Sequence, residues 1–195
     1  MKWRELLLMV IIVPVFVCSV SGQQKSLDSL LQANTNYLNE DSNKVKLLIN
    51  IAREYRKLRM TKERFVIIDQ AIALGEKIKF YKALPQLYNY NGLYYEGRSE
   101  FEKSIFNYER AIALSEQLGD KEKVAGYSLN YGTVYQQIGD YPRALTLYQK
   151  SANYYINIGD EENAANAYVN MGSVFNDFPG HVANGLVYFE KALKS

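Results

Sequence analysis

The chain has 195 residues, 48% of them hydrophobic and 23% charged, which is the composition of a globular domain and not of a disordered, collagen-like or polytopic membrane protein. With 23 Lys and Arg against 21 Asp and Glu the formal charge is only +2, so the bulk attraction to nucleic acid of a strongly basic protein is missing. One Cys excludes an intrachain disulfide and a Cys-rich metal site, and one His excludes chemistry that needs several imidazoles, so neither a cofactor nor a metal is expected.

Residues 1–22 read as an export signal. Lys2 and Arg4 give a positive start, Leu6 to Cys18 is an apolar run broken only by Pro14, and Ser19, Ser21 and Gly22 are small residues before Gln23-Gln24-Lys25. The run is shorter than the roughly 20 apolar residues of a spanning helix. Cleavage after Ser21 or Gly22 would start the mature chain near Gln23, in the periplasm or cell envelope. Val15-Phe16-Val17-Cys18 allows a second reading, a loose lipoprotein box that would lipidate Cys18 and attach the chain to a membrane, although Val17 is larger than the residue usual there. Residues 23–41 hold an amphipathic helix over 26–38, which predicts an N-terminal cap, followed by a linker.

From residue 42 the chain repeats. Gly92, Gly132 and Gly172 are spaced by 40, and a further step back lands on Ala52. Three residues after each stands an aromatic: Tyr55, Tyr95, Tyr135 and Phe175. Sixteen on come Ile68, Tyr108 and Tyr148, and nineteen on Ala71, Ala111 and Ser151; in the last copy Phe189 and Ala192 fall one residue late, after an extra residue in Phe178-Pro179-Gly180-His181. A fixed period of this size predicts a solenoid whose units bury their apolar faces on one another, with repeats at 42–80, 81–119, 120–159 and 160–195.

Inside a repeat the spacing is helical. Leu129, Gly132, Tyr135 and then Ala144, Leu147, Tyr148, Ser151 fall three and four apart. Gly139-Asp140-Tyr141-Pro142 breaks them with a residue suited to end a helix, one suited to cap the next, and a proline tolerated in a first turn. Gly119-Asp120 and Gly159-Asp160 repeat the device, and Ser99-Glu100-Phe101-Glu102 reads as a capping box. The unit is a helical hairpin, and nothing reads as strand.

Asn130-Tyr131-Gly132-Thr133-Val134-Tyr135, Gly139-Asp140-Tyr141, Ala144-Leu145 and Tyr148, with Gly92, Tyr95, Tyr108 and Ala111, resemble the tetratricopeptide repeat family in a 40-residue variant, over roughly residues 42–195. The first copy departs at Arg64 and Arg59-Met60-Thr61, the last at Asn184-Gly185. The resemblance implies an all-α, right-handed superhelical solenoid of four antiparallel helix hairpins, without catalytic activity, that binds a protein or peptide in a groove lined by the first helix of each hairpin. Carried onto this sequence, the groove positions are Lys46, Arg53, Arg56 and Lys57 in the first copy and Asn89 and Glu96 in the second. Thr133, Gln136 and Gln137 follow in the third, and Asn166, Ser173 and Asn176 in the fourth. A groove running from basic to amide-rich would suit a peptide with an acidic end. Gln136 reads as solvated, so its truncation should be nearly silent.

The cations from Arg53 to Arg64 have two readings, helix-end charges favoured by the dipole or a binding place for phosphate or anionic lipid. The 17 Tyr fall on repeat positions and so belong to the core, not to a nucleic-acid stacking platform. His181 sits in an irregular turn with no second ligand nearby. Exported Tyr- and Asn-rich copies with Ile-Gly-Asp turns also look like the regions that precede the membrane span of Bacteroides-type sensor histidine kinases. The chain would then be a scaffold or the sensory part of a receptor, with a hydrolytic enzyme as the remote alternative. Val187, Phe189 or Leu193 on the last helix is expected to be partly bare, which points to continuation of the chain past Ser195 or to self-association.

Overall fold

The computed structural model describes residues 22–177 and 182–194. The export segment with Cys18, and the Phe178–His181 turn, lie outside the described residues, apart from Gly22. All described regular structure is helical: α1 (22–36), α2 (Ser42–Lys57), α3 (Thr61–Lys77), α4 (Leu84–Glu96), α5 (Phe101–Gln117), α6 (Lys121–Gln137), α7 (Tyr141–Ile158), α8 (Glu161–Asp177) and α9 (Val182–Lys194), with one 3-10 turn at Tyr81–Ala83. The fold is an all-α helical-repeat solenoid, and the chain divides into two compact units, one up to Phe80 and one from Tyr81.

In the first unit α2 begins where Asp41 accepts hydrogen bonds from the amides of Asn43 and Lys44 at 2.8 and 3.0 Å. The Tyr37 hydroxyl, donating to the same carboxylate at 2.8 Å, is the main reason that Asp41 titrates below the usual carboxylate range; the Lys44 amide adds to it. That cap ties the end of α1 to the start of α2. Leu27, Val45, Leu48, Ile51, Phe65, Ile68 and Ala71 are buried in this unit.

The second unit stacks three hairpins, α4–α5, α6–α7 and α8–α9. Their core is Tyr108, Tyr131, Val134, Tyr135, Ala144, Tyr148, Met171 and Val174. Tyr131 stacks on Tyr108 at 5.8 Å between ring centroids and lies 4.8 Å from Tyr135, so the tyrosines are interior residues of the repeat. The hydroxyls of Tyr131 and Tyr135 meet at 2.8 Å, and Tyr131 also donates to Glu109 at 3.0 Å, which satisfies oxygens that burial would otherwise penalise.

Turn chemistry recurs at half the repeat length. Arg59, Lys79, Ser99, Gly119, Gly139 and Gly159 stand twenty residues apart, and all six have positive φ, from 58 to 84°. At each, the following amide bonds back to the carbonyl five residues before it, as in Met60 to Tyr55 at 2.9 Å and Asp140 to Tyr135 at 2.9 Å, the closure of a helix by a left-handed residue. Asp120, Asp140 and Asp160 then accept the amides of Lys123, Arg143 and Asn163 and start the next helix. Arg59 therefore takes the same conformation as the glycines, although the sequence there lacks the motif.

The capping box expected at Ser99–Glu102 does not form. Ser99 ends α4 at φ 58°, Glu100 makes no side-chain bond to a helix amide, and its carboxylate instead pairs with Arg98 and Lys103 at 2.6 Å. A side chain in the left-handed region costs about 1 kcal/mol, which glycine does not incur. Ser99→Gly is accordingly expected to raise the denaturation midpoint by an amount worth up to about 1 kcal/mol. An unchanged or lower midpoint in urea would contradict this account of the turn.

The hairpins close on the small-residue column. A Cβ built on Gly92 would lie 2.8 Å from the Tyr108 ring, on Gly132 2.5 Å from Tyr148, and on Gly172 2.7 Å from Phe189. The ring of the second helix thus lies directly on the backbone of the first. Phe189 fills the site in the last hairpin although it stands one residue later in the repeat. In the first hairpin the column holds Ala52, and the residue sixteen on is Ile68, a smaller side chain opposite a larger one. On α9, Leu186, Val187 and Leu193 are exposed, while Phe189 is half-buried against Gly172.

Candidate functional site

Because the second-helix rings pass over glycine, their polar ends emerge on the far side, among the first helices of the second unit. The Tyr108 hydroxyl donates to Glu96 Oε2 at 2.9 Å, and the Tyr148 hydroxyl to Gln136 Oε1 at 2.9 Å. Glu96 and Gln136 hold equivalent places, four residues after Gly92 and Gly132. Side chains then link α4, α6 and α8: Gln137 Nε2 donates to Glu96 Oε1 at 2.9 Å, Asn130 to Asn89 at 3.1 Å, and Gln136 Nε2 to Ser173 Oγ at 3.2 Å.

On this face lies an open pocket of about 660 Å³ lined by Thr133, Gln136, Gln137, Tyr141, Tyr148, Asn170 and Ser173. Every lining side chain is neutral and carries a hydroxyl or an amide. Such groups can donate to and accept from an extended backbone, whose peptide units need one donor and one acceptor each. A smaller apolar pocket of about 320 Å³ lies between α5, α6 and α7, bounded by Val124, Ala125, Tyr154 and the Lys150–Glu116 ion pair at 2.9 Å.

The electrostatics of the face centre on Glu96. Burial pushes its carboxyl above the usual range, and the hydrogen bonds from Tyr108 and Gln137 hold it partly back. Tyr108 is pushed far up, first by burial and then by the adjacent Glu96 carboxylate, so its hydroxyl stays protonated and remains a donor. Among the described residues no group of three or more His, Cys, Asp or Glu comes together as a metal site.

The structure sorts the twelve groove positions. Glu96, Thr133, Gln136, Gln137 and Ser173 come together around the pocket and its rim. Asn89 is buried at 7% exposure and engaged by Asn130, so it ties α4 to α6. Asn166 and Asn176 are exposed on α8. Lys46, Arg53, Arg56 and Lys57 are exposed on α2 in the first unit, where Arg53 bonds Asn50 at 3.1 Å and Lys57 pairs with Glu54 at 2.6 Å. Gln136 is not merely solvated: it accepts the Tyr148 hydroxyl and reaches Ser173, so its truncation is expected to cost stability and not to be silent.

Tyr148, Tyr141 and Asn170 were not among the expected site residues. Tyr148 reads from its period as core, which it is, and its oxygen is also site. A signal was present. Where the residue sixteen on is Tyr, the residue four after the glycine is Glu or Gln; where that place holds a side chain without a hydroxyl, Ile68 in the first copy and Phe189, one residue late, in the last, the residues four after Ala52 and Gly172 are Arg56 and Asn176.

Three helix pairs of matching turn chemistry and a glycine column agree with what sequence comparison finds. Residues 83–157 match the tetratricopeptide repeat family. That stretch contains α4 to α7. No curated protein sequence matches the chain. Among solved structures it is similar to BtubC (BKLC) from P. vanneervenii, with TM-score 0.70 and 18% identity over 90% of this chain and 71% of that one. It is similar to MamA, with TM-score 0.64 and 22% identity over 88% of this chain and 89% of that one. It is also similar to YrrB, described as a TPR protein with an unusual peptide-binding site, with TM-score 0.66 and 16% identity over 92% and 80% of the two chains. At these identities the likeness shows the tetratricopeptide-type fold and nothing of the ligand.

Proposed function

We propose that this chain is a non-catalytic, extracytoplasmic module that binds an extended segment of a partner protein along the first-helix face of its second unit, as a scaffold or as the sensory region of a signalling receptor. The observation that carries the reading is the 660 Å³ pocket lined only by amide and hydroxyl side chains. A backbone can be satisfied there without a particular side-chain sequence, and the site offers no nucleophile paired with a base. The exposed cations of α2 favour acidic groups in the partner, and the exposed Leu186 and Val187 on α9 favour self-association. Export rests on residues 1–22, and the sensory role on the resemblance of the Ile-Gly-Asp turns to those of exported receptor regions. Among the described residues no helix is long and apolar enough to cross a membrane.

Titration of the labelled protein with a pool of unstructured peptides, followed by NMR, tests the binding face. Shifts are expected first at Thr133, Gln136, Gln137 and Ser173, and shifts confined to α5 and α7 would place the ligand elsewhere. Intact-mass measurement on protein from the cell envelope tests export. A mass that starts at Gln23 or its neighbour is expected, an added diacylglycerol on Cys18 would mean lipid anchoring, and a mature protein retaining Met1 to Ser21 would contradict export.

A further inference from the structure

We infer that Glu96 receives a cationic side chain, Lys or Arg, of the extended peptide bound on the α4–α6–α8 face, an inference that rests on the peptide-binding reading above. Glu96 is the last residue of α4, half-buried, and both its oxygens are held by neutral donors, the Tyr108 hydroxyl and the Gln137 amide. A carboxylate has about four acceptor positions. Two are used, which leaves room for a charged donor from outside.

The cations near Glu96 in sequence are engaged elsewhere. Arg98 pairs with Glu100 at 2.6 Å and lies over the Tyr94 ring at 5.5 Å, and Lys103 pairs with Glu100 at 2.6 Å and lies over Tyr95 at 5.2 Å. The groups that face Glu96 from the packed helices are Tyr108 on α5 and Gln137 on α6, both neutral. A half-desolvated negative charge is therefore fixed in place with no counter-ion from the described residues. Its position at a helix C-terminus, the negative end of the dipole, further favours a cation.

Geometry connects this charge to the pocket. Gln137 lines the pocket and also donates to Glu96, while the rest of the lining is uncharged. A peptide seated against Thr133, Gln136 and Ser173 needs to extend only past Gln137 to present a side chain to the carboxylate. A charge-assisted bond there would be about twice as strong as a neutral one. The surroundings prepare the carboxylate in advance, because Tyr108 and Gln137 fix its orientation before the ligand arrives.

The test uses fluorescence anisotropy with three labelled octapeptides of otherwise identical Ala, Asn and Thr sequence that carry Arg, Gln or Glu at the centre. The full chain should bind the Arg peptide about tenfold or more tighter than the Gln peptide, with the Glu peptide weakest. Glu96→Gln keeps an oxygen for Tyr108, so it should melt close to wild type and bind the Arg and Gln peptides alike. Burial has raised the Glu96 carboxyl, so acidifying the wild type through its titration should abolish the preference without a substitution, which covers the case of a variant that fails to fold. Equal binding of all three peptides by the wild type, or a preference retained in Glu96→Gln, would overturn this inference alone. Binding of none of them would overturn it together with the peptide-binding reading.

Discussion

Gly132→Val is expected to destabilise the second unit by roughly 3 kcal/mol or more, at the upper end of overpacking substitutions. The first added carbon alone would stand 2.5 Å from Cε1 and 2.7 Å from Cδ1 of Tyr148. Those atoms belong to a ring that is fully buried. The ring cannot swing aside without breaking its hydroxyl bond to Gln136 and disturbing Ala144 and Tyr135 in the same core. Gly132→Ala makes the argument sharper. In a helix interior Gly to Ala normally gains about 1 kcal/mol, so a net loss at position 132 would have its cause in the ring contact. Thermal and urea unfolding of both variants measures it, and a Gly132→Val protein that melts like wild type would contradict the crossing geometry.

Tyr148→Ala should cost about 3–5 kcal/mol, the range for truncating a fully buried large aromatic. Its loss has two parts that separate experimentally. Tyr148→Phe keeps the ring on Gly132 and removes only the hydroxyl that donates to Gln136, so it should cost about 1 kcal/mol. Tyr148→Ala leaves in addition a void between α6 and α7 at the centre of the core cluster. Unfolding free energies of the two, taken in the same denaturant series, should therefore differ by a factor of about three or more. Near-equal losses would mean that the ring contributes little beyond its oxygen.

Much of the fold was legible because its determinants are local or periodic. The 40-residue spacing of Gly92, Gly132 and Gly172, the Gly-Asp turns and the displaced Phe189 all carry directly into helices and crossings. What failed was local chemistry that one sequence window cannot decide. Ser99 could cap the next helix or end the preceding one, and tertiary packing, which fixes where α4 must stop, selects the second. Arg59 and Lys79 occupy left-handed turns without any of the residues that favour them, so only the twenty-residue rhythm identifies those places.

The site was less legible than the fold. A family-style set of outward positions placed Gln136, Gln137 and Ser173 in the groove but could not show that Asn89 is turned inward to Asn130. Nor could it show that Tyr148 serves both layers. A helical period assigns a side chain to one face by its Cα, whereas a tyrosine lying across a glycine reaches about 6 Å through the crossing and delivers its oxygen on the opposite side. Fold and candidate site share the same residues here: the glycine that lets the hairpin close is what admits the hydroxyls that hold Glu96 and Gln136.

The direct test of that shared device is a double-mutant cycle joining Gly132→Ala and Tyr148→Ile, the pair that reproduces Ala52 and Ile68 of the first hairpin. If the ring and the missing Cβ are matched in size, the double variant should be less destabilised than the sum of the singles, by about 1–3 kcal/mol of coupling. Additivity within about 0.5 kcal/mol would show that the two positions do not sense one another and would contradict the account.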